Sequence, residues 1–164
     1  MTYISSYKDQ DWLLPTSIKQ MIKPYKNMKY LGPIRGKEKI AEMYQAADIY
    51  VLPSYREGLP LTLFEAMASG LPIIASPVNG IPFEMKENEN GLFSEYSDIS
   101  SLAKNIQKLI DNPDLRKRFS LNNKKKAKNY DWDTISGKYL KQYKSLLIEK
   151  KSTAFTGCPI INKI

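Results

Sequence analysis

The 164-residue sequence contains no histidine and a single cysteine, Cys158. Without histidine, the chain cannot form Ser-His-Asp or Cys-His catalytic groups, and it cannot use imidazole as a metal ligand or as an acid and base. One cysteine excludes an internal disulfide and a zinc site built from several cysteines. Any chemistry in this chain must therefore use carboxylates, lysines, hydroxyls or backbone dipoles.

The sequence also lacks a long apolar run, although 42% of its residues are hydrophobic. No stretch approaches the roughly 20 apolar residues that span a bilayer, and the first residues, MTYISSYKDQ, lack the apolar region of a secretory signal. We therefore expect a cytoplasmic protein. The length fits one domain over residues 1–150, followed by a loose tail over 151–164 that has no helical period.

Basic residues are concentrated in one part of the chain. Residues 101–150 carry 13 basic and 5 acidic side chains, whereas residues 51–100 carry 2 basic and 7 acidic ones. Seven of the 13 positions in Arg116–Lys128 are basic. This stretch could be a solvated helix face, a contact with the anionic inner membrane surface or a nucleic-acid patch. Few aromatic residues lie nearby, so nucleic acid is the least favoured partner.

Short apolar segments alternate with helical patterns through the first two-thirds of the chain. The segments predicted as strands are 28–31, 48–52, 72–76 and 91–93. The segments predicted as helices are 14–25, 40–47, 61–69, 81–87, 99–110, 113–130 and one beginning after Asp131. This order predicts an α/β fold: a partial Rossmann-like parallel sheet of three to four strands covered by helices, with helices at the C-terminus.

Two details of the last helix are predicted as well. Asp131 is a candidate N-cap and Trp132 a candidate core anchor. The apolar residues expected to point inward are Ile135, Tyr139, Tyr143 and Leu146.

The loop after the strand at 48–52 is the best candidate for a binding site, because ligands of open α/β sheets bind beyond the carboxyl ends of the strands. Gly58 allows close approach of the backbone, and Pro60 suits the first turn of a helix. The free N–H groups of that helix start favour a phosphate, and Glu57 and Glu65 could hold hydroxyl groups. A glutamate this early in a helix could also be only a favourable partner of the helix dipole.

At this loop the sequence resembles a known family. The segment Ala47–Ala75 contains ADIYVLPS, EGLPL and EAMASGLPIIA, and it is similar to the core of the family 4 glycosyltransferases, which are retaining enzymes of the GT-B fold. Their Glu-x7-Glu motif is matched by Glu57 and Glu65. Gly80-Ile81-Pro82 and Asn90-Gly91-Leu92 resemble two later motifs of the family. The resemblance runs from about Lys29 to Leu147.

The resemblance implies a role for each residue of the motif. Glu57 is expected to face the hydroxyls of the transferred sugar, as the catalytic candidate, and Glu65 to bind the ribose. The residues expected at the donor phosphates are Gly58, Leu59, Pro60, Leu61 and Thr62. Such enzymes move a sugar from a nucleotide diphosphate sugar to a saccharide or lipid-linked acceptor with retention of configuration. They generally need no metal, and we expect no cofactor.

The departures from the family pattern are equally specific. The family's glycine-rich turn with an Arg…Lys pair is absent. The sequence around Lys8, Arg35 and Lys37 does not match that segment, so none of them is assigned its role. Phe83 stands where the family has glutamate, and Glu84 follows it. The N-terminal, acceptor-binding domain is also missing. We therefore expect an incomplete C-terminal half of a GT-B enzyme that is inactive by itself; the alternative is a non-catalytic nucleotide-binding or partner-binding module of a split or degenerate enzyme.

Several other residues have simple explanations. Asp9-Gln10-Asp11 and Asp131-Trp132-Asp133 match the Asp-x-Asp metal motif of another glycosyltransferase fold, but a metal is not expected at either. Arg56 could touch phosphate or be an exposed loop residue, and Tyr55 could stack on a base or sugar or merely cover the loop.

Overall fold

The computed structural model describes residues 2–3 and 19–152, and the side chains of residues 19–147. The strands are β1 (Thr2–Tyr3), β2 (Lys29–Tyr30), β3 (Tyr50–Leu52), β4 (Ile73–Ala75) and β5 (Gly91–Phe93). The helices are α1 (Lys37–Gln45), α2 (Leu61–Ser69), α3 (Ile81–Glu84), α4 (Ile99–Asp111), α5 (Pro113–Ala127) and α6 (Trp132–Ser152). Residues 19–22 are also helical, and a 3-10 turn spans Lys128–Tyr130.

The strands form two parallel sheets among the described residues. One has the order β3-β4-β5, and the other is the short pair β1-β2. In the larger sheet Leu52, Ala75 and Phe93 lie side by side at the carboxyl ends of their strands. The α/β fold with a partial parallel sheet covered by helices is thus confirmed. The strand β1 was not expected from the sequence.

The core is built around the central strand β4, whose three residues are all buried. Ile74 and Leu92 pack with Leu109 of α4 and with Phe119 of α5. Successive strand residues point to opposite faces, and Ile73 and Ala75 are as buried as Ile74. The central strand is therefore covered on both faces, which explains why its sequence is a continuous apolar run.

Local signals set several helix ends. Gly70 ends α2 in the left-handed conformation at φ 75°, as a helix-terminating glycine does. Asp98 begins α4, and its side chain accepts a hydrogen bond from the Ser101 N–H at 2.9 Å. The side chain of Arg116 closes the other end of α4, where it donates to the carbonyls of Leu109 at 2.5 Å and Ile110 at 2.7 Å.

The chain divides into two compact units, Met1–Lys124 and Lys125–Ile164. The predicted boundary at residue 150 and the predicted loose tail stay predictions, and residues 153–164 lie outside the described residues. Two expectations for α6 are wrong, the core position of Trp132 and the inward face, of which only Ile135 is half-buried. Trp132 is 81% exposed, and Tyr139, Tyr143 and Leu146 are exposed as well. The apolar spacing correctly predicts the helix, but spacing alone does not determine what covers a helix face.

A buried pair of amides ties α5 to the two turns that precede β4 and β5. The side-chain NH2 of Asn123 donates to the carbonyls of Leu71 at 2.7 Å and Asn90 at 2.9 Å. Its amide oxygen accepts from the Asn90 side chain at 3.0 Å. Asn123 is fully buried. Without it the Leu71 and Asn90 carbonyls would lose this donor, and the Asn90 side-chain NH2 would keep only the long hydrogen bond to the Glu84 carbonyl at 3.5 Å.

Asn123→Leu is therefore expected to lower the free energy of unfolding by about 3 kcal/mol, because buried polar groups left unpaired cost about 1–3 kcal/mol each. Asn129→Leu is the matched control, since Asn129 is exposed, and its effect should stay within about 0.5 kcal/mol. Urea unfolding measures both. Equal stability of the two variants would contradict a structural role for the amide pair.

Candidate functional site

The candidate site lies at the carboxyl edge of the β3-β4-β5 sheet, where the loops that follow the strands meet. The loop after β3 contains Glu57 and leads into α2. The turn after β4 contains Asn79 and Gly80 and leads into α3. The strand ends stand in register, so the sheet holds the starts of both loops side by side.

Three hydrogen bonds hold the loop around Glu57. The hydroxyl of Ser54 donates to the Glu57 carboxylate at 2.7 Å. The side-chain amide of Asn79 donates to the Glu57 carbonyl, and the N–H of Gly80 donates to the Gly58 carbonyl at 3.0 Å. The turn after β4 thus fixes the position of the loop after β3. The half-buried carboxylate of Glu57 is oriented by Ser54.

The contact between the two segments requires a glycine at position 80. A Cβ atom there would lie 2.7 Å from the Gly58 carbonyl oxygen and 3.1 Å from Leu59 Cδ1. The backbone of Gly80 is in an ordinary conformation, with φ −74°. The reason for glycine is therefore space, not backbone strain. At Gly58 an added Cβ would meet no atom within 4 Å, so that side of the loop is open to a ligand.

Helix α2 begins directly after this loop, and its N-terminus has no side-chain cap. Pro60 occupies the N-cap position, and proline has neither a polar side chain nor an N–H. Leu61 is exposed and Thr62 half-buried in the first turn. A helix start that carries no capping side chain presents its N–H groups and positive dipole end to an anion.

Glu65 lies one turn further along α2 and faces α1. Its carboxylate accepts a hydrogen bond from the Tyr44 hydroxyl at 3.0 Å. The rings of Tyr44 and Tyr50 pack with centroids 5.8 Å apart. Glu65 itself is exposed, so Tyr44 orients one oxygen and leaves the group accessible to a ligand.

The two tyrosines report on the electrostatics of this cluster. Burial, then the neighbouring Tyr50 hydroxyl and the Glu65 carboxylate raise the pKa of Tyr44 far above its usual 10.0. The pKa of Tyr50 is also raised, first by burial and then by Glu57 and Glu65, although a hydrogen bond with Thr62 opposes the shift. Both carboxylates therefore contribute to the raised pKa of the Tyr50 hydroxyl.

The raised pKa of Tyr44 gives an expected pH dependence. The stability from its protonated hydroxyl is complete below about pH 10 and is lost as pH rises further, because the unfolded state ionises first. Tyr44→Phe should lower the free energy of unfolding by about 1 kcal/mol at pH 8, and the gap to the wild type should shrink by pH 10.5.

Urea unfolding at the two pH values measures that gap. Tyr25→Phe is the control, because Tyr25 is exposed and the variant should follow the wild type at both values. A gap for Tyr44→Phe that does not change with pH would contradict the assignment.

The residues that support the motif were not predicted from the sequence. Tyr44 lies 21 residues from Glu65, and Asn79 lies 22 residues from Glu57. Asn79 has a positive φ of 45°, and an asparagine next to glycine is a turn signal that could have drawn attention to it.

The other candidates are less well placed. Arg56 is exposed, and Glu84 lies half-buried in α3. Phe83, at the position where the resemblance implies a glutamate, is 82% exposed. Lys8, Asp9, Asp11 and Cys158 lie outside the described residues. Within the described part of the chain, no group of three or more acidic or cysteine side chains could hold a metal ion.

The basic stretch is divided between structural and exposed residues. Arg116 binds the end of α4, and Arg118 donates to the Asn88 carbonyl at 3.2 Å. Lys117, Lys124 and Lys128 are exposed. In the residues that the structure describes, no helix has the length and apolar character to cross a membrane.

Two surface cavities lie away from this edge. The larger, of about 500 Å³, is lined by Asn88, Lys108 and Arg118 among others. It lies at the opposite end of the sheet, beside the turn that precedes β5. Its two basic side chains already bind the Asn88 turn. We therefore favour the carboxyl edge, where ligands of parallel sheets bind.

Comparison with known proteins identifies the family. Residues 17–126 match the family described as glycosyl transferases group 1. The chain belongs to the group 1 glycosyl transferases. The matched region contains both glutamates of the motif, the turn at Gly80 and the amide pair Asn90–Asn123.

Individual relatives agree with this membership. D-inositol 3-phosphate glycosyltransferase from Corynebacterium efficiens is 35% identical over 107 residues, which are 65% of this chain and 25% of that enzyme. The C-terminal domain of a glycosyl transferase group 1 family protein from Francisella tularensis is 27% identical, with a TM-score of 0.68, and the match covers 78% of this chain and 67% of that one. The chain therefore spans about a quarter of the curated enzyme and resembles a C-terminal domain.

A third relative shows the shared fold. HepE from Anabaena, solved in complex with UDP, has a TM-score of 0.72 at 21% identity, over 79% of this chain and 36% of that one. The same protein is also solved in complex with UDP-glucose. The group 1 transferase chain thus has the α/β architecture of the GT-B glycosyltransferases.

Proposed function

We propose that this chain is the donor-binding part of a glycosyltransferase and binds a nucleotide diphosphate sugar at the carboxyl edge of its sheet. The observation that carries the proposal is the loop Glu57–Leu61. There is free space beside Gly58, and hydrogen bonds from Asn79 and Gly80 fix the position of the loop. The loop leads into a helix whose N-terminus has no side-chain cap. Membership of the family and the UDP complexes of HepE support the choice of ligand.

Each part of the site has a distinct task in this proposal. The diphosphate lies at the start of α2, near Gly58, Leu59, Pro60, Leu61 and Thr62, where N–H groups and the helix dipole neutralise charge. Glu65 binds the ribose diol through charge-assisted hydrogen bonds. Glu57, held by Ser54, faces the hydroxyls of the transferred sugar.

The same arrangement would serve the transfer step. Departure of the sugar leaves negative charge on the diphosphate, and the oriented N–H groups of α2 stabilise that charge without further reorganisation. No metal or other cofactor enters this proposal. The product keeps the configuration of the donor, and the acceptor is a saccharide or a lipid-linked sugar.

The chain by itself is proposed to bind donor without transferring sugar. Catalysis requires donor and acceptor held in line, and the chain spans about a quarter of its curated relative. The test is a calorimetric screen with UDP, GDP, ADP and dTDP, followed by a transfer assay with the matching sugar nucleotide. Binding of one nucleotide without transfer is expected. Absence of binding by all four would contradict the proposal.

We further propose that the basic stretch contacts an anionic membrane surface, as an enzyme acting on a lipid-linked acceptor would require. Lys117, Leu121 and Lys124 recur on α5 at intervals of four and three residues, and all are exposed. This spacing places two charges and one apolar side chain on one face of the helix. Each lysine near such a surface contributes about 1 kcal/mol.

Cosedimentation with vesicles tests the membrane contact. The chain should bind vesicles rich in anionic lipid at low salt and release them as salt rises. Reversal of Lys117 and Lys124 to glutamate should abolish binding, whereas reversal of the exposed Lys138 and Lys141 serves as the charge-matched control. Equal binding to neutral and anionic vesicles would leave a solvated face as the explanation, and tight binding to RNA or DNA instead would indicate a nucleic-acid patch.

A further inference from the structure

Two tyrosines connect Glu65 with the first turn of α2. The Tyr44 hydroxyl donates to the Glu65 carboxylate at 3.0 Å. The rings of Tyr44 and Tyr50 pack with centroids 5.8 Å apart, and the Tyr50 hydroxyl has a hydrogen bond with Thr62. Side chains of α1, β3 and α2 are thereby joined in one cluster.

Tyr44 and Glu65 differ sharply in their exposure. Tyr44 is only 5% exposed, whereas Glu65 is exposed. A buried tyrosine whose ring packs against a second ring presents its hydroxyl from a fixed position. Burial is the main cause that raises the pKa of Tyr44 above its usual 10.0, so the hydroxyl stays protonated and donates at neutral pH. A fixed donor therefore holds a carboxylate that a ligand can reach.

This contact changes what the carboxylate can do. An exposed glutamate samples several rotamers, and ordering it on binding weakens the affinity for a ligand. Here Tyr44 already holds one carboxylate oxygen, Oε2. Among the described residues, nothing binds the other oxygen, Oε1. Glu65 is therefore ordered before the ligand arrives, with one oxygen available to accept hydrogen bonds.

We propose that Tyr44 is a positioning residue that makes the site selective for a nucleotide with an intact ribose diol over its 2′-deoxy form. This inference rests on the proposed function, which places the ribose at Glu65. A site arranged to bind a hydroxyl loses affinity for the analogue that lacks it. A mobile glutamate would turn toward water instead and would distinguish the two sugars less.

The selectivity defines the class of donor. A nucleotide sugar built on UDP, GDP or ADP carries both ribose hydroxyls, whereas one built on dTDP lacks the 2′ hydroxyl. The donor is therefore a ribonucleotide sugar. Because Glu65 is exposed, the discrimination should be about five- to tenfold, well below that of a fully buried site.

Calorimetric titration of the full chain tests the proposal. The probes are UDP, GDP and ADP, each paired with its 2′-deoxy form, together with dTDP. The wild type should bind the ribose form of its preferred nucleotide about fivefold or more tightly than the deoxy form. In Tyr44→Phe that ratio should fall below about twofold, because only the ribose form loses affinity. A merely structural role of Tyr44 would weaken both forms equally and leave the ratio unchanged.

A double-mutant cycle tests whether Tyr44 acts through Glu65. Glu65→Gln removes the carboxylate that Tyr44 holds, so adding Tyr44→Phe to it should change the ribonucleotide affinity by less than about twofold. Tyr139→Phe is the matched control, since Tyr139 is exposed on α6, and its ratio should equal that of the wild type. Additive effects of the two substitutions, or a wild-type ratio in Tyr44→Phe, would overturn the proposal.

The same titrations distinguish this inference from the proposed function. If the wild type binds no nucleotide of either form, the donor site is wrong and the inference falls with it. If it binds nucleotides but prefers dTDP, or binds ribose and 2′-deoxyribose forms equally, the donor site stands and the positioning role of Tyr44 is wrong.

Discussion

Gly80→Ala should disturb both the fold and the donor site. The new Cβ would lie 2.7 Å from the Gly58 carbonyl oxygen, and that oxygen belongs to backbone and cannot rotate away. We expect the free energy of unfolding to fall by about 1–2 kcal/mol, as overpacking generally costs. Because the displaced loop carries Glu57 and leads into α2, the affinity for UDP should fall about tenfold, equivalent to about 1.4 kcal/mol.

Two other glycines make this a controlled experiment. Added Cβ atoms at Gly58 and Gly137 meet nothing within 4 Å. Gly58→Ala should therefore keep the stability of the wild type although it lies in the same loop. Gly137→Ala, inside α6, should keep UDP affinity and raise the free energy of unfolding by about 0.5–1 kcal/mol, because glycine is a poor residue in a helix interior. Thermal unfolding and calorimetry measure the two effects, and wild-type behaviour of Gly80→Ala would show that the loop is not held by the turn after β4.

Glu65→Gln and Glu57→Gln should weaken contacts with different parts of the donor. Loss of a charge-assisted hydrogen bond costs about 1.5–3 kcal/mol. Glu65→Gln should therefore weaken binding of UDP about 10- to 100-fold. Glu57→Gln should leave UDP affinity within about twofold but remove the extra affinity of UDP-glucose over UDP.

The same titrations on Glu42→Gln provide the matched control, since Glu42 is exposed on α1. Its affinities for UDP and UDP-glucose should equal those of the wild type. Equal weakening of both ligands by Glu57→Gln would contradict a role toward the sugar, and unchanged UDP binding by Glu65→Gln would contradict a ribose contact.

Much of the fold follows from local patterns. Helix α2 was predicted at its observed bounds, because apolar spacing, Pro60 and Gly70 all act within a few residues. The apolar run before Ser76 predicted the central strand for the same reason. Strand β1 was missed, since its pairing partner β2 lies 27 residues away and two residues carry too little pattern.

The supporting contacts of the site were not predictable in this way. The bonds Tyr44–Glu65, Asn79–Glu57 and Asn123–Leu71 join residues 21, 22 and 52 positions apart. No periodicity relates such residues; only the packed sheet brings them together. Local pattern can also mislead. Trp132 is apolar and lies at a suitable helical position, which predicts a core anchor, but it is exposed.

NMR mapping of UDP binding on the 15N-labelled chain tests the central claim most directly. If the carboxyl edge binds the donor, the largest shift changes should occur at the backbone amides of Gly58, Leu61 and Thr62, with smaller changes at Glu65. The amides around Asn88 and Arg118, beside the cavity at the opposite end of the sheet, should stay unchanged. Shift changes concentrated at Asn88 and Arg118, or none at millimolar UDP, would contradict the account.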